Sequence, residues 1–183
     1  MSSTHSGKVP YKIGATFYGV LIAATVATTI VHETAHWAMG TALGHDMAMS
    51  FNAAHAVAAS GVSAGHAMLI TAAGPAVTFL QALIAFVLVR SRGLLLAYPF
   101  LFAAWFMRFA AAFVSLSHPN DEARLSIDLF GGMWWLPAAV VSVLFALLWL
   151  AARRLKIGWK THLMCYLLCS AMAAAIIFGY RLL

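Results

Sequence analysis

The residues best equipped for chemistry are His32, Glu33 and His36, in the pentad His32-Glu33-Thr34-Ala35-His36. On a helix, side chains four positions apart share one face, with Cβ atoms about 5–6 Å apart. Two imidazoles so spaced can grip a single metal ion, and the Glu beside the first can take a proton from a water on that metal. The chain has 8 His in 183 residues, and Glu33 and Glu122 are its glutamates. At that composition roughly 0.004 chance matches to the HExxH pattern are expected. The plainer alternative is a polar helix–helix contact made by two core histidines. A lone His favours that alternative; the complete pentad favours a metal site.

The segment that carries the pentad is apolar, like most of the chain. Hydrophobic residues make up 63% of the sequence and charged residues 9%, against roughly 25% charged in a soluble domain. So few charges exclude an ordinary soluble enzyme, and so much apolar surface excludes a disordered chain. Two cysteines are too few for a disulfide scaffold. At about 20 apolar residues per span, five spans fit, at about 13–40, 66–89, 94–117, 133–152 and 161–180. Residues 1–12 read as a flexible polar tail. The first span exceeds the about 7–15-residue core of a signal peptide, and a cleaved leader has no use for two histidines and a glutamate. Residues 41–65 are rich in Gly, Ala, Ser and His, and the run MAMSFNAAHAV alternates loosely, as a short hairpin would. The expected fold is an all-α polytopic membrane protein forming one domain over 1–183, with a short β-hairpin between the first two spans.

Five spans place Lys8, Lys12, Arg90, Arg92, Arg153, Arg154, Lys156 and Lys160 on one side, eight of the eleven basic residues. The positive-inside rule makes that side, and the N-terminus, cytoplasmic. The expected setting is a bacterial inner membrane. Trp37, Trp134, Trp135 and Trp159 lie near span ends, where indole rings prefer the headgroup zone. The net charge of +6 is thereby accounted for by membrane anchors, and the partner is the lipid bilayer, not nucleic acid.

Ionisable residues inside a span are costly and usually functional. Thr25, Thr28 and Thr29 precede His32 on the same helix face, so a polar stripe must look into the bundle. A catalytic zinc takes a third protein ligand and keeps a fourth position for water. The topology puts segment 118–132 on the same side as the end of the first span. Asp121 is the first candidate for that ligand, Asp128 the second and His118 the third. Pro119-Asn120-Asp121-Glu122 also reads as a helix start with Asp121 as N-cap. Asp46, His45, His55 and His66 lie on that side too, as solvated loop residues or a second, labile metal site.

HETAH on a first apolar span, the hairpin-like stretch, the Ala72–Ala76 element AAGPA and the segment NDEARLSIDLFGG together resemble the site-2 protease family of intramembrane zinc metalloproteases, in its short, PDZ-less form. The resemblance covers about residues 15–135, and HExxH is its one stringent element. It implies one zinc ion on His32, His36 and Asp121, with Glu33 as catalytic base, and a membrane protein or peptide as substrate. Thr78 stands where the family often has Asn three residues after the Pro, and Asp128-Leu-Phe-Gly131-Gly132 loosely echoes a Leu-Asp-Gly motif of longer members. Many members open the site toward the cytosol, whereas the charge distribution here opens it to the other side.

Arg108, inside the third span, is expected to be a structural ion pair or a snorkelling side chain. The sharper alternatives are an oxyanion stabiliser or a holder of Asp121 or Asp128. Gly74-Pro75 reads as a kink or a helix start, and Cys165 and Cys169 as small core residues. Two further functions compete with the peptidase: a non-proteolytic membrane metal-binding or transport protein, and a di-iron membrane oxygenase. The oxygenase needs many more clustered histidines than this chain has.

Overall fold

Backbone polar groups in lipid must be satisfied within their own segment, and the apolar runs accordingly fold as long helices. The computed structural model describes residues 13–179; the expected tail at 1–12 lies outside them. Helix α1 spans Ala15–Ala42, α2 Ala64–Arg92, α3 Tyr98–Val114, α5 Trp135–Leu155 and α6 Trp159–Gly179. These five are long and apolar enough to cross a membrane, so the chain is an integral multi-pass membrane protein. Between α1 and α2 lies the expected hairpin, β1 (Met47–Ser50) paired antiparallel with β2 (Ala53–Ala56), Met49 opposite Ala54.

Three boundaries differ from the sequence reading. Arg90 and Arg92 belong to the last turn of α2, where cations suit the helix dipole, and Gly93 caps it in the left-handed region at φ 63°. The third span is shorter than expected: a 3-10 turn at Leu95–Ala97 leads into α3, which ends at Val114. The charged connector 118–132 forms a helix of its own, α4 (Asp121–Phe130), closed by Gly131 at φ 67°.

Helix α4 is pinned by Ser126, fully buried, whose hydroxyl donates to the Gly132 carbonyl and accepts from the Leu136 amide. The apolar core gathers at the opposite end of the bundle. There Phe17, Val89, Tyr98, Leu101, Phe102, Leu148 and Leu155 are buried together, with Phe17 stacked on Tyr98. Cys165 and Cys169 are buried and free, as small core residues should be. Packing therefore fixes one end of α1–α3, and the other end is left to polar side chains and a cavity.

Candidate metal centre

On α1 the stripe formed by Thr25, Thr28, His32 and His36 is buried. The threonine hydroxyls bond back to carbonyls four residues earlier, so they cost the bundle no unmatched donor. Gln81 of α2, not singled out in the sequence, donates to the Thr28 hydroxyl and to the Phe100 carbonyl and ties three helices together.

Further along the stripe, His32, His36 and Asp121 converge and could hold a metal ion. The His32 Nε2 lies 3.1 Å from Asp121 Oδ2 and 3.1 Å from His36 Nε2, and the His36 Nε2 lies 3.5 Å from the same Asp121 oxygen. The other nitrogen of each ring decides what these short distances mean. His36 Nδ1 is 2.6 Å from the Ile70 carbonyl oxygen, which can only accept, so Nδ1 carries the proton. His32 Nδ1 is 3.2 Å from Thr78 Oγ1, and that hydroxyl spends its own hydrogen on the Gly74 carbonyl. With Nδ1 protonated, His32 donates to Thr78 and, like His36, presents its Nε2 lone pair to the cluster; in the other tautomer Nδ1 accepts from the Arg108 guanidinium. Burial pushes the Asp121 carboxyl up; where the rings carry a proton on Nε2, their hydrogen bonds and positive charge outweigh this and hold it well below the ordinary range. It is then an anion at neutral pH. With both Nε2 atoms unprotonated instead, three electron-pair donors facing one another call for a cation. Metal–ligand bonds of about 2.0–2.1 Å in tetrahedral array give ligand–ligand edges of about 3.3 Å, which the donor spacings match.

Helix α2 makes this possible through Gly74 and Pro75. A Cβ at position 74 would strike both imidazole rings, so only glycine lets the α2 backbone lie against them. Gly74-Pro75 is not a helix start: Pro75 lies inside α2. Thr78, three residues after Pro75, reaches His32 Nδ1 at 3.2 Å and so helps hold that ring.

Asp121 is positioned by α4. Asn120, not Asp121, is the N-cap, and Asp121 opens the helix. The next residue, Glu122, accepts from Arg108 Nη1 at 3.0 Å; both are buried, and the same Nη1 is 3.9 Å from Asp121. Arg108 is thus an ion-paired residue, as the plainer reading had it, and it also reaches Asp121. Its partner Glu122 was not foreseen. Arg108 Nη2 sits 3.5 Å from His32 Nδ1, on the far side of that ring from the convergent nitrogens. Arg108 also lines the cavity that holds the cluster.

Asp128 is seven residues beyond Asp121, about 10 Å along α4, and is exposed, as is His118; neither joins the cluster. His45 and His66 do not act singly. They form a 2.9 Å contact that joins the two ends of the hairpin insertion, with no third metal-binding side chain among the described residues. Asp46 and His55 are exposed.

A cavity of about 470 Å³ opens beside the cluster, lined by Glu33, His32, His36 and Asp121 together with Asn52–His55 of the hairpin and Ile176 of α6. The Val57 amide bonds the Asp46 carbonyl, so 46 and 57 form a hydrogen-bonded pair. With alternation along an antiparallel ladder, the pair Met49–Ala54 is not hydrogen-bonded, and the Ala54 N–H and C=O point away from β1. Ala54 and Glu33 line the same cavity. The chain matches none of the protein-family models, curated proteins or solved structures with which it was compared.

Two outcomes are expected. Gly74→Ala should lower metal retention roughly tenfold or more with helix content unchanged, measured by elemental analysis of purified protein; undiminished retention would mean that the rings shift freely. Arg108→Met strands a buried Glu122 and should cost about 3–5 kcal/mol of stability. Adding Glu122→Leu should recover most of that stability while metal affinity stays about 10–100-fold down. Recovery of both would reduce the pair to a structural role.

Proposed function

We propose that the chain is an intramembrane zinc metalloendopeptidase that hydrolyses peptide bonds of membrane-associated or transmembrane proteins. One observation carries this reading: Glu33 lies in the same cavity as His32, His36 and Asp121, so a base stands beside a three-donor metal cluster. A metal-binding or transport protein has no need of a carboxylate at that place. The resemblance of HETAH and its following segments to the site-2 protease family points the same way. The donor set of two neutral imidazoles and one carboxylate is that of a catalytic zinc.

The zinc, when bound, supplies Lewis acidity and a water made acidic enough to attack at neutral pH. Glu33 accepts the proton of that water at its carboxylate and delivers it to the leaving amine nitrogen. Arg108 and Glu122 hold Asp121 in place, and Thr78 and the Ile70 carbonyl hold the rings. A helical substrate must unwind to offer a peptide bond, and the free edge of β2 offers an extended segment the hydrogen bonds that its own helix gave up. In this reading the basic residues at the α2–α3 and α5–α6 turns favour a cytoplasmic side for those turns, with the site opening toward the opposite face of a bacterial inner membrane.

Glu33→Gln should keep its metal and lose cleavage of a co-expressed membrane substrate by roughly 10²-fold or more, whereas Asp121→Ala should lose the metal itself. Wild-type cleavage by Glu33→Gln would sink the peptidase reading. For orientation, Ser63→Cys should react with an impermeant thiol reagent applied from outside the membrane; the native cysteines are buried and give no background. Labelling from the cytosolic face alone would reverse the topology.

A further inference from the structure

The α5–α6 pair has a feature that hydrolysis does not use. These consecutive helices are joined by a short turn, yet they scarcely pack on one another among the described residues. Between them a groove of about 430 Å³ runs over α3, lined by Phe102 and Trp105 on its floor and by Phe145, Trp149, Leu163 and Tyr166 on its walls. Its mouth is at the α5–α6 turn, which carries Arg153, Arg154, Lys156 and Lys160. No acidic residue follows Asp128 in the whole chain, so these four cations have no local counter-charge. The Arg153 guanidinium lies 4.9 Å over the Trp149 ring that walls the groove, which places a positive charge at the point where the apolar slot meets the surface. The first turn of α6 adds the positive end of its dipole.

We propose that this groove is a binding site for one anionic phospholipid, its acyl chain lying between α5 and α6 and its phosphate held by Arg153 and Lys160. A partner helix is a poorer occupant. An apolar helix brings nothing for the four cations at the turn. A zwitterionic lipid fills the groove equally well but offers its phosphate with a compensating charge. Basic pockets between membrane helices, beside a leaflet surface, select acidic headgroups for this reason. The lipid would also supply the packing between α5 and α6 that the protein lacks.

The test is native mass spectrometry of the full-length protein in detergent, titrated with phosphatidylglycerol and with phosphatidylcholine of the same chains. Wild type is expected to bind phosphatidylglycerol at least about tenfold more tightly, a ratio worth 1.4 kcal/mol. Arg153→Gln with Lys160→Gln, both exposed positions, should bring the two lipids level without weakening phosphatidylcholine. Leu163→Trp, which fills the groove, should weaken both; Tyr166→Trp serves if that variant does not fold. Equal binding of the two lipids by wild type overturns the proposal, as does a preference that survives the double substitution. Displacement of phosphatidylglycerol by chainless glycerol phosphate would overturn it too, because the groove would then be irrelevant.

Discussion

Two imidazole nitrogens and a carboxylate oxygen face one another across 3.1–3.5 Å, inside a bundle that holds few other polar groups, and with both Nε2 atoms unprotonated they confront one another as three lone pairs. In a medium of low dielectric such an arrangement is unstable without a cation, and the rest of this end of the molecule is organised to impose it. The ligands come mainly from α1, but their chemistry is dictated by α2. The Ile70 carbonyl and the Thr78 hydroxyl take the Nδ1 protons, and Gly74 brings the α2 backbone close enough for them to do so. A ring free to choose its tautomer would relieve the repulsion by turning a proton inward. The Ile70 carbonyl and the Thr78 hydroxyl oppose that escape, so affinity for a cation rests on the helix–helix crossing as well as on the ligands.

The same reasoning explains why a membrane protein so poor in charge buries Arg108 and Glu122. Together they are neutral, and their hydrogen bond spans from α3 to the first turn of α4, beside the third ligand. A buried pair contributes little net stability, because desolvation offsets most of the attraction; its value lies in geometry. Helix α4 is short and mostly exposed on its last turn. Glu122 at one end and Ser126 at the other help fix its rotation and the direction in which Asp121 points.

The legible parts of this site were those whose geometry is set by local spacing or by topology. His32 and His36 are one helical turn apart, and Asp121 follows an even number of membrane crossings after them, so both could be placed from the sequence. Five spans and the hairpin were legible for the same reason: hydropathy and alternation are local signals. What could not be read depends on how helices cross. The role of Gly74 exists only because two rings lie against it, and Glu122 finds Arg108 across a turn of unknown path. Asn120 and Asp121 are both good N-caps; Asp121 faces the two imidazoles, and Asn120 takes the cap position. The contact between His45 and His66 was invisible because each was weighed alone, as a loop residue, when the relevant fact is that they close the two ends of one insertion.

That insertion poses a problem whose solution bears on the chemistry. An open strand edge among apolar helices leaves backbone groups unsatisfied and invites unwanted pairing. The β2 edge escapes the first cost because Ala54 and its neighbours line the cavity that also holds Glu33, His36 and Asp121. Irregular backbone at membrane depth is tolerated where it borders water, and those polar side chains provide for a wet cavity. An extended peptide laid along β2 would displace that water from the edge while leaving it at the metal cluster. The solvent that makes the open edge tolerable is therefore the reactant that the proposed hydrolysis consumes, and a substrate unwound to fit the edge arrives with its backbone beside the group that takes the proton.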